Sequence, residues 1–500
     1  MDEIAVRTGP ALILAATLLL FVLVGILTRV RNLEEYWVAG RRIGPVSSGM
    51  AIASNWMSAA SFLGMAGLLY LQGYFGLAYV LGWCGGYVLL LVLMAAQIRN
   101  YGKFTAPDFI GDRYYSKTAR FLAAIITLVI SFVYAVGQYK GIGEMFKWIF
   151  GMDYKLSIIT GTIVVLSYVL LSGMMGVVRN QQVQYIVLIT AFLLPLFFIA
   201  KKLGFFYFVP QVGYGEAVAQ LQETQPQFVL PWGDEGVYQW IALCFTLMVG
   251  TAGLPHVIQR FYLVPNASDA RKSVVWGLFF IGVLYWSSPA FSAFGRILNP
   301  DGGREVADVI IINAAENAGL PEWFTGLLAA GAVSAAFSTV AGLLMAASAA
   351  FAHDLYFGLF KPTASNKERV IVARLGAVVL GFAIMLVALE PPALIGQIVA
   401  MAFAIAGCTI FPVFVLGIWW SRTTREGGIA GMLVGGLISI GALFWGDTAL
   451  ASWIPATSSA LIGAPVAFLT IIVVSHLTPA PPKEIDGLMQ QIHTEEDGSA

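Results

Sequence analysis

Thirteen stretches of mostly apolar residues succeed one another along this chain, at 9–29, 45–72, 75–97, 120–146, 155–177, 182–203, 237–258, 272–296, 322–350, 369–389, 394–420, 427–447 and 458–476. Roughly 20 such residues are enough to cross the hydrocarbon core of a bilayer as a helix. Inside lipid the backbone must satisfy its own hydrogen bonds, so the chain is confined to an all-α polytopic bundle of about 13 transmembrane helices. Composition agrees: 11% of the 500 residues are charged, against about a quarter in a soluble domain. The 53 glycines suit close packing of helices in lipid. Formal net charge is zero, so no global field selects nucleic acid or acidic partners. Cys84, Cys244 and Cys408 all lie in apolar runs, which excludes a disulfide framework. The first run, Ala11 to Leu27, lacks a basic leader and a small-residue cleavage site and reads as a retained helix.

An odd number of spans puts the termini on opposite sides. With the N-terminus outside, 20 of the 28 Lys and Arg residues fall in inner loops, among them Arg29, Arg31, Arg179 and Arg260. That bias predicts a plasma (inner) membrane protein with a cytoplasmic C-terminus. Residues 1–478 read as one transmembrane domain, and 479–500 as an acidic, disordered cytoplasmic tail. The outer segments 204–236 and 297–321 are amphipathic enough for short surface helices. Two spans look interrupted: the second at Ser54-Asn55-Trp56-Met57-Ser58, and the seventh at Gly250-Thr251-Ala252-Gly253-Leu254-Pro255. They lie five helices apart, the mark of an inverted repeat of two five-helix halves.

Several chemistries are missing. No phosphate-binding GxxxxGK[ST] loop is present, which argues against ATP-driven pumping. His256, His353, His476 and His493 fall at expected inner helix ends or in the tail, and neither facing histidine pairs for haem nor a metal-ligand cluster is apparent. No Asp or Glu lies near the middle of a span, which argues against a carboxylate proton relay. A coupling ion would then rest on neutral oxygens, namely carbonyls freed at a helix break together with hydroxyls. A channel is the other class to weigh, but no ring-forming filter segment is seen.

Several motifs resemble the sodium/solute symporter family. They are Tyr36-Trp37-Val38-Ala39-Gly40-Arg41, Ser58-Ala59-Ala60-Ser61-Phe62-Leu63-Gly64-Met65-Ala66-Gly67, Ala335-Ala336-Phe337-Ser338-Thr339 and His353-Asp354-Leu355-Tyr356. The segment Gly250 to Phe261, with Ala270-Arg271-Lys272-Ser273, is similar to the cation/acetate branch. The resemblance covers roughly residues 10 to 450. It implies a LeuT-like core with inverted halves at about 45–203 and 237–420, and a sodium ion between the first break and the eighth core helix. Carried over by position, the sodium ligands are the carbonyls of Ser54, Met57 and Ala335 and the hydroxyls of Ser338 and Thr339. The plain alternative is that Ser338 and Thr339 bond back to their own helix.

For substrate the candidates are Ser61, Gln138, Lys140 and Thr251. Ser61 and Thr251 are small polar residues at the two breaks, and small residues also serve simple packing. Gln138 lines the cavity or makes a helix–helix hydrogen bond. Lys140 is the basic residue deepest in an apolar stretch. It either binds a substrate carboxylate or snorkels to the surface and pairs with Glu144 at i+4. Trp83 and Phe245 are candidate cavity walls, with aromatic packing as the plainer role for each. Some relatives carry an Asp that helps hold a second sodium, and Gln181 stands in that place here.

The expectation is a sodium-coupled symporter importing a small monocarboxylate such as acetate by alternating access, not an enzyme. The expected partners are a small organic anion, sodium and the bilayer, with no cofactor beyond the coupling ion. Symport of an amino acid, sugar or vitamin is the first alternative, and a sensor or channel on the same fold the second.

Overall fold

A computed structural model describes residues 6–28, 33–445 and 453–494; Arg29, Arg31 and the end of the tail lie outside the described residues. Every regular element among them is helical. Ten helical stretches are long and apolar enough to cross a membrane: Thr8–Leu27, Ala60–Leu93, Lys117–Phe150, Gly173–Leu203, Gly236–Gly253, Ala267–Leu298, Trp323–Gly358, Asn366–Ala388, Ile395–Trp419 and Ala460–Leu477. The sequence divides the same chain into about thirteen. The expected spans 45–72 and 75–97 share the stretch Ala60–Leu93, preceded by the separate half-helix Pro45–Trp56. The expected span 155–177 contains a shorter apolar helix, Tyr154–Ser167, and 427–447 corresponds to the glycine-rich helix Arg425–Ala442.

One boundary moves for a clear reason. A loop is expected between residues 177 and 182, yet helix runs from Tyr154 to Leu203 with a single kink at Gly173, whose φ is 56°. Glycine takes that left-handed value without a Cβ penalty, so the turn needs no loop. Gln181 and Gln184 therefore sit within a helix and are fully buried.

The helix Trp323–Ala349 is the most enclosed element, buried at nearly every position from Phe324 to Ala349. Its small residues let neighbouring helices approach closely. The segments 204–236 and 297–321 carry short helices at Pro210–Thr224, Arg304–Ala307 and Ile310–Asn317. The tail differs from the expectation of disorder. Residues Glu484–His493 form an amphipathic helix with Ile485 and Ile492 buried. Gln491 donates to the Asn100 carbonyl at 3.0 Å, and Asn100 donates to that of Ile492 at 3.2 Å. Ile485, Leu488 and Ile492 recur on one face, and that apolar stripe outweighs the acidic composition.

Candidate functional site

Helix Pro45–Trp56 ends where Met57 leaves helical geometry (φ −70°, ψ 72°), and the chain resumes through the wide turn Ala60–Gly64. A break frees carbonyls on one side and N–H groups on the other. Side chains from other helices meet both. The N–H of Ala59 donates to Oε1 of Gln138 at 2.8 Å, while Nε2 of the same amide is buried with no partner. On the other side, the Ser338 hydroxyl lies 2.6 Å from the Ser54 carbonyl and 2.8 Å from that of Ala335. The Thr339 hydroxyl lies 2.8 Å from the Asn55 carbonyl and 3.1 Å from that of Ala335. Each of these residues is at most 1% exposed.

Each hydroxyl carries one proton. Four oxygen–oxygen contacts therefore share two protons, each hydroxyl bonding back to Ala335 on its own helix, as the plain alternative expects, and also reaching Ser54 or Asn55 on the broken helix. Neutral oxygens converging at a helix break are what a sodium ion takes. Ser54, Ala335, Ser338 and Thr339 are thus brought together and the carbonyl of Asn55 joins them, with Met57 at the break itself.

Gln181 abuts this cluster. Its Nε2 donates to the Ser338 carbonyl at 2.8 Å and to Oδ1 of Asn55 at 3.2 Å. A backbone carbonyl only accepts, which fixes the nitrogen on that side of the amide. The amide Oε1 is buried without a partner.

The second break follows helix Gly236–Gly253. Leu254 is extended (φ −74°, ψ 119°), as a residue before proline is held, and Pro255–Ile258 begins a new turn. Gly250 and Gly253 lie against the backbone of Phe403 and Ala406, where a Cβ would meet a carbonyl oxygen at 2.4 Å. Thr251 donates to the Leu247 carbonyl of its own helix at 2.6 Å. Between the two breaks stands an aromatic cage. Trp56 meets Tyr87 edge-on at 4.8 Å, and Phe403 lies 5.4 Å from Trp56, 5.9 Å from Trp83 and 5.6 Å from Tyr134 between ring centroids. Ser61 completes the cage wall through a 2.8 Å hydrogen bond with Tyr285. Phe245 is only partly buried and has no ring contact with this cage.

Ser61 and Gln138 thus converge on the first break, and Thr251 lies at the second. Lys140 is elsewhere. Its Nζ bonds Oδ2 of Asp308 at 2.6 Å and the Ala393 carbonyl at 3.1 Å. The partner is a carboxylate from the Arg304–Asn317 segment, not Glu144 one turn along.

Two groupings escape a reading of the sequence. His256, Gln259 and Arg260, expected at an inner helix end, are buried to 3% exposure or less. The usable signal is that they follow the break directly and are succeeded by the apolar Phe261 to Val264. The fold also brings Asp108, His353 and Asp354 within 4.8 Å of one another, although no metal-ligand cluster is apparent in the sequence. Arg120 binds both carboxylates, at 2.6 Å to Asp108 and 2.8 Å to Asp354, so the chain itself supplies the positive charge there.

Two broken helices around a neutral-oxygen cluster, inside a multi-pass helical bundle, define a membrane transporter rather than an enzyme. Residues 36–435 match the family model of the sodium:solute symporter family, and the chain belongs to that family. Family membership makes sodium-coupled symport of a solute its class of activity. It is 31% identical to an uncharacterized symporter of Cupriavidus necator, over 95% of this chain and 92% of that one. Its fold is similar to that of a Na+-coupled sialic acid symporter solved in a substrate-bound outward-open state, with a TM-score of 0.77 at 17% identity, covering 94% of this chain and 98% of that one. A more distant likeness is to Mhp1, a nucleobase-cation-symport-1 family transporter in a closed conformation, with a TM-score of 0.56 at 11% identity, covering 91% and 98%.

Proposed function

We propose that the chain imports a small monocarboxylate such as acetate together with one sodium ion, by alternating access across the plasma membrane, with its N-terminus outside. The observation that carries the sodium half is the sharing of two hydroxyl protons among four carbonyl contacts at Ser338 and Thr339. Sodium rests on the carbonyls of Ser54, Met57 and Ala335 and on those two hydroxyls. It bridges the first broken helix to helix Trp323–Ala349, which belong to opposite repeats, so its occupancy biases how the two halves rock.

The cage between the breaks suits a small solute with one polar end. Trp56, Tyr87 and Phe403 offer apolar faces, while Nε2 of Gln138 offers a buried donor that the protein leaves unused. An unmade buried hydrogen bond is costly, and a carboxylate oxygen accepts it well. Ser61 at the first break and Thr251 at the second are the further candidates for contact with the solute. The test is uptake by purified protein in liposomes, using a panel of labelled short-chain acids, amino acids and sugars, with and without an inward sodium gradient. Sodium-driven accumulation of an acid supports the reading, whereas accumulation of a sugar or neutral amino acid alone replaces it.

A further inference from the structure

Arg260 lies just past the second break, 2% exposed, and makes no ion pair among the described residues. Nη1 approaches the Met174 sulfur at 3.9 Å, and Nε and Nη2 have no hydrogen-bond partner among the described residues. The neighbouring groups are short of acceptors as well. Both ring nitrogens of His256 are unbonded, as is Nε2 of Gln259. Tyr134 packs edge-on against His256 at 5.4 Å, which ties this group to the aromatic cage. Gly342 marks how near it lies to the sodium cluster. A Cβ there would sit 1.9 Å from Oδ1 of Asn55 and 2.9 Å from Nη2 of Arg260.

A buried guanidinium without an anion is strongly unfavourable, and an ionisable group at membrane depth persists where function uses it. Among the described residues no carboxylate pairs with it. What this buried group lacks is a small acceptor bearing one negative charge. We infer that Arg260 is the receptor for the carboxylate of the transported solute, with His256 as an auxiliary donor. This rests on the monocarboxylate reading above and assigns its charged end to a residue outside the expected set. The guanidinium fork matches a carboxylate with two parallel hydrogen bonds. An anion held there lies beside the Asn55 end of the cation cluster, so each ion screens the other from the low-dielectric interior. Sodium and carboxylate then raise each other's affinity by the same factor.

The experiment is sodium titration of the purified full-length chain in detergent, read by tryptophan fluorescence, with acetate, pyruvate, chloride or nitrate present or absent. Uptake of labelled acetate and pyruvate is measured in parallel. In the wild type, acetate or pyruvate should lower the half-saturating sodium concentration by about fivefold or more, within the usual range of coupling between sites. In Arg260→Gln that effect should fall below about twofold, while the sodium response without carboxylate persists and shows that the variant is folded. Arg260→Lys keeps the charge but loses the fork, and should retain part of the effect. A full carboxylate effect in Arg260→Gln overturns the assignment. So does a wild-type response to chloride or nitrate with none to the acids. If the wild type transports acetate with sodium and Arg260→Gln transports it with unchanged affinity, the receptor assignment fails and the monocarboxylate reading stands. If the wild type transports no acid at all, that reading fails and the receptor assignment falls with it.

Discussion

Lys140 and Asp308 stand 168 positions apart in sequence and are bonded Nζ to Oδ2 at 2.6 Å. The lysine comes from the long helix Lys117–Phe150 and the aspartate from the segment preceding Ile310–Asn317. The N–H of Ile395 also approaches the same oxygen, at 3.4 Å, so the pair clasps three parts of the chain at one end of the bundle. A cation neutralised in this way is not free to hold a substrate carboxylate in this conformation.

The first prediction concerns that clasp. Removing one partner leaves an uncompensated charge, whereas removing both does not. Asp308→Asn and Lys140→Gln should each lower the yield of folded protein or the maximal uptake rate. The Lys140→Met/Asp308→Leu double variant should recover much of the loss, with the KM for solute within about twofold of the wild type. A large rise in KM shared by every Lys140 variant, including the double one, would return Lys140 to the substrate site.

A second prediction addresses Ser338 and Thr339. Replacing both by Ala removes two oxygens from the cation cluster and leaves the carbonyls of Ser54, Asn55 and Ala335 facing one another. The half-saturating sodium concentration for uptake should rise by about tenfold or more, at roughly a kcal/mol for each lost ligand. Unaltered sodium dependence in this variant excludes the assigned site.

The third prediction concerns charge moved per cycle. Gln181 places an amide nitrogen on the Ser338 carbonyl, where a carboxylate would invite a second cation. One sodium with one monovalent anion carries no net charge, so wild-type uptake should be insensitive to membrane potential. Gln181→Asp should bring voltage dependence and a second sodium. Paired sodium and solute fluxes in liposomes clamped at several potentials check both statements. Steeply voltage-dependent uptake by the wild type contradicts the first.

A fourth prediction follows from Asp108. Burial raises the pKa of this carboxyl, but His353 at 3.0 Å, Arg120 and Lys103 outweigh burial and hold it below its ordinary value of 3.8. A carboxyl depressed on folding stabilises the native state above its unfolded pKa, and that contribution is lost as pH falls through the lower folded value. Asp108→Asn should therefore melt below the wild type at neutral pH, with the gap narrowing as the pH drops beneath about 4. Thermal unfolding of purified protein between pH 3 and 8 provides the measurement, and a gap that stays constant to the acid end counts against the ion-pair account.

Much of the architecture is legible in the sequence because lipid leaves the backbone few options. Apolar runs must be helices, and the Gly253-Leu254-Pro255 stretch marks an interruption, although Pro195, Pro289 and Pro465 lie inside continuous helices. The first break is legible through its small polar residues, whereas Ala335, Ser338 and Thr339 are singled out by the family resemblance, with which their i, i+3, i+4 spacing is consistent. What stays hidden depends on partners distant in sequence. Nothing near Lys140 announces Asp308, and nothing near Ala59 announces that Gln138 will accept its N–H. Arg260 is misplaced for a different reason. Counting positive charge treats each arginine as a marker of the inner surface, and here one is drawn into the protein by the turn after Leu254. The kink at Gly173 is missed because one left-handed residue does the work for which a polar loop is expected. The tail helix is missed because a composition rich in charge conceals the three-residue stripe of Ile485, Leu488 and Ile492.

One sodium per cycle, as proposed for a chain with an amide at Gln181, would also set a thermodynamic ceiling. A carrier that moves one sodium with one monovalent anion can raise the internal solute only until its concentration ratio equals that of sodium, and the membrane voltage adds nothing. A tenfold sodium ratio then supports about a tenfold solute ratio, or 1.4 kcal/mol. A relative with a carboxylate at this position and a second ion would square that ratio and draw on voltage as well, at the expense of one more ion to be pumped back out each cycle.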